Sequence, residues 1–245
     1  YSGTFFPALE KEGVKHVLIL GDTFDRRKYV NFYSLQRAKK MFFDPLAERG
    51  IEVHMLVGNH DTYYKNTNEV NSLELLLDGA VGTYVVSKPT TIELAPGYSV
   101  LMLPWICEEN AASVVDAINQ SEAKECFGHL ELVGFQMDKG NVCEEGTNPE
   151  FFQKFDRVLT GHFHHRHTKG NVTYLGCPYE MTWVDYGDDK GFHVLDTDTK
   201  EIEFIRNPNR MFHIINYDDS KEQSLSAKDY AGKIVKLVVV KKDDT

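Results

Sequence analysis

The stretch Val17-Leu18-Ile19-Leu20-Gly21-Asp22-Thr23-Phe24-Asp25 decides the fold. Its apolar half is typical of a buried strand, and its polar half marks the point where that strand ends. Further motifs follow the same plan: Gly58-Asn59-His60-Asp61, Gly128-His129 and Gly161-His162-Phe163-His164 come after or near apolar runs. Carboxylate, carboxamide and imidazole groups bind divalent metals. The sequence therefore predicts a polynuclear metal site at the strand ends of one sheet.

Composition narrows the class of protein. The chain has 245 residues, a mass of 28.0 kDa and a formal net charge of −10, which argues against nucleic-acid binding through overall electrostatics. Bound cations would reverse the charge of the site, and basic residues cluster beside the motifs. No stretch approaches the roughly 20 apolar residues of a membrane span. The four cysteines are far apart with no C-x-x-C pair, so we expect reduced thiols in an intracellular protein.

Hydrophobic periodicity predicts strands alternating with helices early in the chain and mainly strands later. The expected helices lie at 5–13, 31–49, 69–78 and 110–119, and Pro45 is expected to kink or end the second one. The expected strands lie at 16–20, 51–57, 83–86, 90–94, 98–103, 124–127, 171–175, 191–196 and 201–205. This order favours an α/β fold in which two packed sheets are flanked by helices (αββα).

A composition break at Asn207-Pro208-Asn209 suggests a domain boundary. We expect one domain over residues 1–207 and the start of a second module over 208–245. Two strand-like runs, 212–217 and 233–240, lie in the second part.

The motif side chains suggest two kinds of role, metal ligand and proton donor. Asp22 is the natural bridging ligand because a carboxylate has two oxygens, and with Asn59, His129 and His162 it could hold one metal completely. His164 would reach a neighbouring metal. His60 has a different task, as a proton donor to the leaving oxygen.

Asp61 could fix the tautomer of His60 and keep it charged. Asp25 is either a group that supports the ligands or, equally, an N-cap or turn carboxylate for the following helix.

The motif order G-D-x-x-D, G-N-H-D, G-H, G-H-x-H resembles the calcineurin-like metallophosphoesterase superfamily. Within it, Pro104-Trp105-Ile106-Cys107-Glu108-Glu109-Asn110, Gly128-His129-Leu130-Glu131-Leu132 and Tyr174-Leu175-Gly176-Cys177-Pro178 resemble SbcD-type DNA repair nucleases, and most of all the bacteriophage recombination endonuclease subunits of that group. The resemblance runs to about residue 240.

The resemblance implies the fold, the activity and the partners. It implies a two-sheet sandwich with helices outside, and it assigns Asp22 as bridging ligand, Asn59, His129 and His162 to one metal, and His164 to the other. It also implies His60 acting on the scissile phosphate with Asp61 as its orienting partner. The usual metal is manganese, with magnesium as the alternative.

The implied activity is exonuclease and endonuclease cleavage of DNA in recombination and repair. Implied partners are DNA, an SbcC-like coiled-coil ABC-type ATPase and a second copy of the chain, joined through N-terminal helices. The C-terminal module would be a DNA-binding capping domain. The expected location is the cytoplasm, that of the host for a phage protein.

One departure from the family leaves alternatives open. Its first motif, Asp-x-His, is absent and would fall upstream of Tyr1 together with the first strand. If that motif is truly missing, the chain is an inactive metal-binding scaffold. The nearest rival enzyme is a phosphodiesterase for small nucleotides. A protein phosphatase is disfavoured because that branch carries G-N-H-E.

Several residues near the motifs have two interpretations. The candidate DNA contacts are Arg26, Arg27, Tyr63, Tyr64, Lys65, His165 and Arg166. The arginines at 26 and 27 and the residues 63–65 could equally be solvated or locally packed surface residues, and for His165 a solvent-facing loop position is favoured. The histidines in strand-like contexts, His16, His54, His193 and His213, are interpreted as structural, and Trp105 and Trp183 as packing residues.

Overall fold

The computed structural model describes residues 1–221 and 225–241. The α-helices are α1 (Phe5–Lys11), α2 (Phe32–Ala38), α3 (Asp44–Glu48), α4 (Ser72–Leu77) and α5 (Ala111–Gln120). Among the described residues, none of the helices has both the length and the apolar content that a membrane span needs.

The strands are short and follow the predicted order closely. They are β1 (His16–Ile19), β2 (Glu52–Leu56), β3 (Thr83–Val86), β4 (Thr90–Ala95), β5 (Tyr98–Leu103), β6 (Glu125–Gly128), β7 (Gln136–Asp138), β8 (Asn141–Val142), β9 (Arg157–Thr160), β10 (His167–Lys169), β11 (Val172–Tyr174), β12 (Gly191–Leu195), β13 (Ile202–Arg206), β14 (Phe212–Asp218) and β15 (Ile234–Lys241).

Two sheets form the centre of the fold. The first is parallel, with strand order β1-β2-β3, and the second has the order β10-β11-β9-β6-β5-β4. In the second sheet β5, β6, β9 and β11 run parallel, so their carboxyl ends share one edge. The pairs β7-β8, β12-β13 and β14-β15 form separate two-stranded sheets.

Alternating side chains divide the interior into three apolar layers. Leu56 and Val86 of the first sheet pack with Met102, Phe127 and Leu159 of the second, which fills the space between the sheets. Two further clusters cover the outer faces. One joins the first sheet to α1, α3 and α4, and the other joins the second sheet to α5. The αββα sandwich predicted from the sequence is therefore confirmed.

The predicted helix 31–49 is continuous but not regular. A π-helical turn at Lys39–Phe43 separates α2 from α3, which begins just before Pro45. Proline has no N–H to donate to the preceding turn, and the wider π turn accommodates that loss. The apolar face predicted for this helix is wrong at Phe32, which is 86% exposed.

The motifs come from both sheets. Asp22 and Asn59 follow β1 and β2 of the first sheet, whereas His129 and His162 follow β6 and β9 of the second. The expectation that one sheet supplies all of them is therefore wrong. Packing the two sheets face to face brings the carboxyl ends of their parallel strands to one side of the sandwich, which periodicity along one chain does not reveal.

Candidate metal centre

Four predicted ligands meet at the carboxyl ends of β1, β2, β6 and β9. The Nε2 atom of His129 lies 2.9 Å from Oδ1 of Asn59 and 3.3 Å from Oδ2 of Asp22. The Nδ1 atom of His162 lies 3.0 Å from the same Asn59 oxygen and 3.2 Å from Nε2 of His129. Asp22, His129 and His162 each offer a ligand atom within 4.8 Å of the others.

The donor set fits a cation. The Nδ1 atom of His129 lies 2.6 Å from the carbonyl oxygen of Leu20, and because a carbonyl only accepts, Nδ1 is assigned the proton. In neutral His129 the Nε2 lone pair then faces the oxygens of Asp22 and Asn59 and a ring nitrogen of His162. Lone pairs at such distances repel one another unless a proton or a metal ion lies between them.

Electrostatics favours the metal-binding forms of Asp22 and His162. Burial alone raises the pKa of Asp22, but the hydrogen bond and charge of His129 and the His60 backbone N–H outweigh it and lower that pKa to about 2. Burial, followed by the charge of His129, lowers the pKa of His162 to about 3. Burial lowers the pKa of His129, but the hydrogen bond and charge of Asp22 more than offset this and raise it.

The backbone around these ligands is tightly packed. Asp22 and His162 have positive φ angles of 54° and 85°, a conformation that costs about 1–3 kcal/mol and persists where its surroundings impose it. A Cβ atom on Gly21 would lie 2.1 Å from Nδ1 of His129, and one on Gly58 would lie 2.3 Å from the Asp22 backbone nitrogen. Both motifs therefore need glycine at these positions, because any side chain would collide with His129 or with Asp22.

His60 is oriented differently from the prediction. Its Nδ1 atom lies 2.6 Å from the carbonyl oxygen of Asp25, and its backbone N–H donates to Oδ1 of Asp22 at 2.8 Å. The Asp61 carboxylate is fully buried and accepts instead from backbone N–H groups of Gly58 and the 23–24 turn. The expectation that Asp61 orients His60 is therefore wrong, because the carboxylate ties the two motif loops together.

Neither interpretation of Asp25 describes what the structure has. Asn31 is the N-cap of α2, and its side chain accepts from the backbone N–H groups of Tyr33 and Ser34. The Asp25 carboxylate lies 3.6 Å from Nε of Arg26, and the contribution of Asp25 to the centre comes from its main chain.

His164 lies in a second group that sequence reasoning missed. Its ring nitrogen is within 4.8 Å of a Cys177 sulfur and an Asp185 oxygen. Lys190 is buried beside them, 2.7 Å from Oδ1 of Asp185, so the protein itself supplies a cation there. Burial, followed by opposing effects of Asp185 and Lys190, lowers the pKa of His164. No motif spacing marks Cys177 or Asp185.

Trp105 also proves closer to the site than expected. Its ring centroid lies 5.2 Å from that of His162 and 6.1 Å from that of His129. The predicted packing residue thus packs on the candidate ligands themselves.

The candidate DNA contacts divide into two sets. Tyr63 and Tyr64 are exposed and meet edge to face at 4.8 Å, and Arg26 and Lys65 are exposed near them in sequence. On the other side, His165 contacts the carboxylate of Asp188 at 3.1 Å. Arg166 lies over the Phe204 ring at 4.0 Å, and Arg27 is half-buried. The first set is exposed to solvent, although Arg26 contacts Asp25 and Tyr29 and the Tyr63 ring lies under Lys28. The second set is engaged with other side chains or partly covered.

A two-sheet sandwich whose strand ends gather carboxylate, amide and imidazole ligands defines a metal-dependent hydrolase of phosphoesters. The comparisons with known proteins agree. The profile of the calcineurin-like phosphoesterases matches residues 3–166, and the chain belongs to that family.

Two relatives extend the match along the chain. Exonuclease subunit 1 of Enterobacteria phage T4 is 34% identical over 234 residues, which covers 96% of this chain and 68% of that protein. The SbcD subunit of the SbcCD nuclease from Staphylococcus saprophyticus subsp. saprophyticus is 23% identical over 260 residues, covering 91% of this chain and 67% of that protein. One solved crystal structure aligns with a TM-score of 0.52 at 10% identity, over 82% of this chain and 91% of its own, which bears on the fold alone.

Proposed function

We propose that the chain is the nuclease subunit of a DNA recombination and repair complex and hydrolyses DNA phosphodiesters at a two-metal site. The convergence of Asp22, Asn59, His129 and His162 carries this proposal, since these ligands suit metal-assisted phosphoryl chemistry. The names of both relatives, an exonuclease subunit and a nuclease subunit, favour DNA as the substrate.

In this proposal Asp22 bridges two cations, Asn59, His129 and His162 complete one site, and His164 belongs to the other. Carboxylate and amide oxygens beside imidazole suit manganese, with magnesium as the alternative. When bound, such a pair of ions supplies an activated water and neutralises charge on the phosphate. Trp105 packs against His162 and so holds the ring of that ligand in place.

His60 is the proposed proton donor. The carbonyl of Asp25 accepts from Nδ1, which fixes the orientation of the ring and leaves Nε2 to act on the leaving oxygen. Because a nitrophenolate leaves without a proton, His60→Asn should abolish cleavage of DNA while affecting bis(p-nitrophenyl) phosphate far less. Manganese content should equal that of the parent.

The matched control is His193→Asn, a change at a histidine on β12, outside the candidate metal centre and the proposed capping module. Equal losses on both substrates would remove His60 from proton transfer. Faster turnover of cyclic nucleotides than of duplex DNA would favour the small-nucleotide phosphodiesterase, and absence of turnover would favour the scaffold.

A homodimer is the proposed assembly, and an SbcC-like coiled-coil ATPase is a further proposed partner. Phe32 and Tyr33 on α2 and Leu75 on α4 are 86%, 65% and 73% exposed, an apolar surface that monomers seldom leave open. A cleft of about 160 Å³, lined in part by Tyr63 and Leu76, adjoins it. Leu75→Asp should shift sedimentation toward the monomer, whereas Leu225→Asp, at an exposed leucine far along the chain, should not.

We also propose a domain boundary at residue 207. Beyond it, β14 and β15 pair only with each other among the described strands, in parallel, and β15 is largely exposed. This pair is the proposed start of a DNA-binding capping module. A nuclease of this kind works where the DNA is, so the cytoplasm is the proposed location.

A further inference from the structure

A third group of metal-ligating side chains lies near the amino ends of β1 and β2, away from the candidate metal centre at their carboxyl ends. His16 and Glu52 are register partners on these parallel strands, and His54 follows Glu52 by two residues, so all three share one face. That face carries Leu18 and Leu56 further along and is the face turned toward the second sheet.

The distances within the group are those of a metal site without its ion. The Nδ1 atom of His16 lies 3.3 Å from Oε2 of Glu52, and the Nε2 atom of His54 lies 3.5 Å from the same oxygen. Both ring nitrogens are shielded from solvent and have no hydrogen-bond partner within the described part of the chain. Ligand atoms at about 2.0–2.1 Å from a tetrahedral zinc are separated from each other by about 3.3 Å.

The orphaned nitrogens need an explanation. Buried polar atoms are normally hydrogen-bonded, and two in one group that face the same carboxylate oxygen are an exception. A hydrogen bond would draw each nitrogen to about 2.9 Å. A cation placed among the three atoms satisfies all of them at the separations that the structure has.

We propose that His16, Glu52 and His54 form a zinc-class metal site that joins β1 to β2, separate from the candidate metal centre. His16 would bind through Nδ1, His54 through Nε2 and Glu52 through Oε2, with water as the fourth ligand. This group has one oxygen ligand for two imidazoles, whereas the candidate metal centre adds the Asn59 amide oxygen to the Asp22 carboxylate. The more nitrogen-rich set favours zinc, cobalt or nickel over manganese and magnesium, which prefer oxygen ligands. The Cα atoms of His16 and Ile19 alone are about 10 Å apart along β1, and Asp22 lies beyond them.

The surroundings suit this role. The ring of Tyr84 on β3 stacks on that of His54, with centroids 5.0 Å apart and planes 19° apart, which fixes the imidazole plane. Side chains of Glu52 and His16 are 43% and 26% exposed, so an ion can enter from solvent.

The test is a cobalt and zinc titration of the purified parent and of variants under the same conditions, so that any cobalt bound at the candidate metal centre is common to all of them. Cobalt in a tetrahedral site gives strong visible absorption, and zinc affinity exceeds that of manganese at imidazole ligands. The parent should bind one equivalent of cobalt with tetrahedral bands that zinc then displaces. His54→Gln should lose that equivalent, and Glu52→Gln should weaken it by at least about tenfold.

The control is His213→Gln, which removes another imidazole with a buried, unpartnered nitrogen that has no metal-ligating cluster around it among the described residues. It should leave the cobalt equivalent unchanged. If His54→Gln fails to fold, Glu52→Gln still tests the proposal, because Glu52 is half exposed and its replacement should disturb folding less. A parent without tetrahedral bands overturns the proposal, and so does equal cobalt binding by the parent and a folded Glu52→Gln or His54→Gln variant. Nuclease activity is not a readout here, so the result is independent of the proposed function.

Discussion

Replacing Gly58 by alanine tests how closely the two motif loops approach. The new Cβ atom would lie 2.3 Å from both the backbone nitrogen and Oδ1 of Asp22. Ordinary van der Waals contact begins near 3.4 Å, so one loop must move by about 1 Å. Asp22 cannot yield easily, because its φ is 54° and its carboxylate already accepts from the His60 N–H at 2.8 Å.

The size of the effect follows from that displacement. Overpacking a well-packed site typically costs about 1–3 kcal/mol of unfolding free energy. A shift of about 1 Å in a group that holds the reaction centre can cost about 100-fold in rate. We therefore expect Gly58→Ala to remain folded, with turnover reduced on the order of 100-fold and weaker manganese binding.

The assay combines three measurements on the same preparations: hydrolysis of bis(p-nitrophenyl) phosphate at saturating manganese, manganese affinity by calorimetry and unfolding in urea. Gly3→Ala is the matched control, because its Cβ meets no described atom within 4 Å and, as for Gly58, no positive φ is involved. Gly58→Ala activity within about twofold of the control, with equal manganese affinity, would show that the Asp22 loop does not lie against Gly58.

Two further predictions concern protons. Because Asp22 raises the pKa of His129 above its usual 6.5, manganese binding must displace a proton from this pair. Affinity should therefore rise with pH through the neutral range, and calorimetry in buffers of different ionisation enthalpy should detect proton release; an affinity independent of pH would refute the pairing. Burial, followed by weaker opposing hydrogen bonds, raises the pKa of Asp61 to about 6 from 3.8, so the stability that its protonated form contributes is present below pH 3.8 and is lost as pH rises through 6. Without metal, the parent's unfolding free energy should fall across that window by up to about 3 kcal/mol relative to Asp61→Asn, and parallel pH profiles would contradict this.

The strand ends were predictable because each depends on residues adjacent in sequence. An apolar run followed by glycine and a polar side chain marks Asp22, Asn59 and His162 without any knowledge of the fold. The structure brings these side chains together as expected. Their roles as ligands stay predictions.

Other features depend on contacts that periodicity does not encode. The partner of His60 is a main-chain carbonyl 35 residues away, and main-chain acceptors carry no signature in a sequence. Phe32 belongs to the predicted apolar stripe of its helix but faces solvent. Only part of that stripe packs on the core, as Leu46 does, and periodicity does not tell which part. The sequence indicates structural roles for His16 and His54, because His16 lies more than 30 residues before Glu52 and His54 and only strand register brings it beside them.

That register connects both ends of β1 and β2. Val17 pairs with Val53 and Ile19 with Met55, which brings His16 beside Glu52 at one end and aligns the Asp22 and Asn59 loops at the other. A slip of one residue would turn every side chain of one strand to the opposite face. A slip would therefore take both groups apart at once. A cation whose free concentration is about 100 times its Kd stabilises the folded chain by about 2.7 kcal/mol. Ions bound at either end would favour the same register, so the proposed zinc site would support the geometry of the distant centre without contacting it.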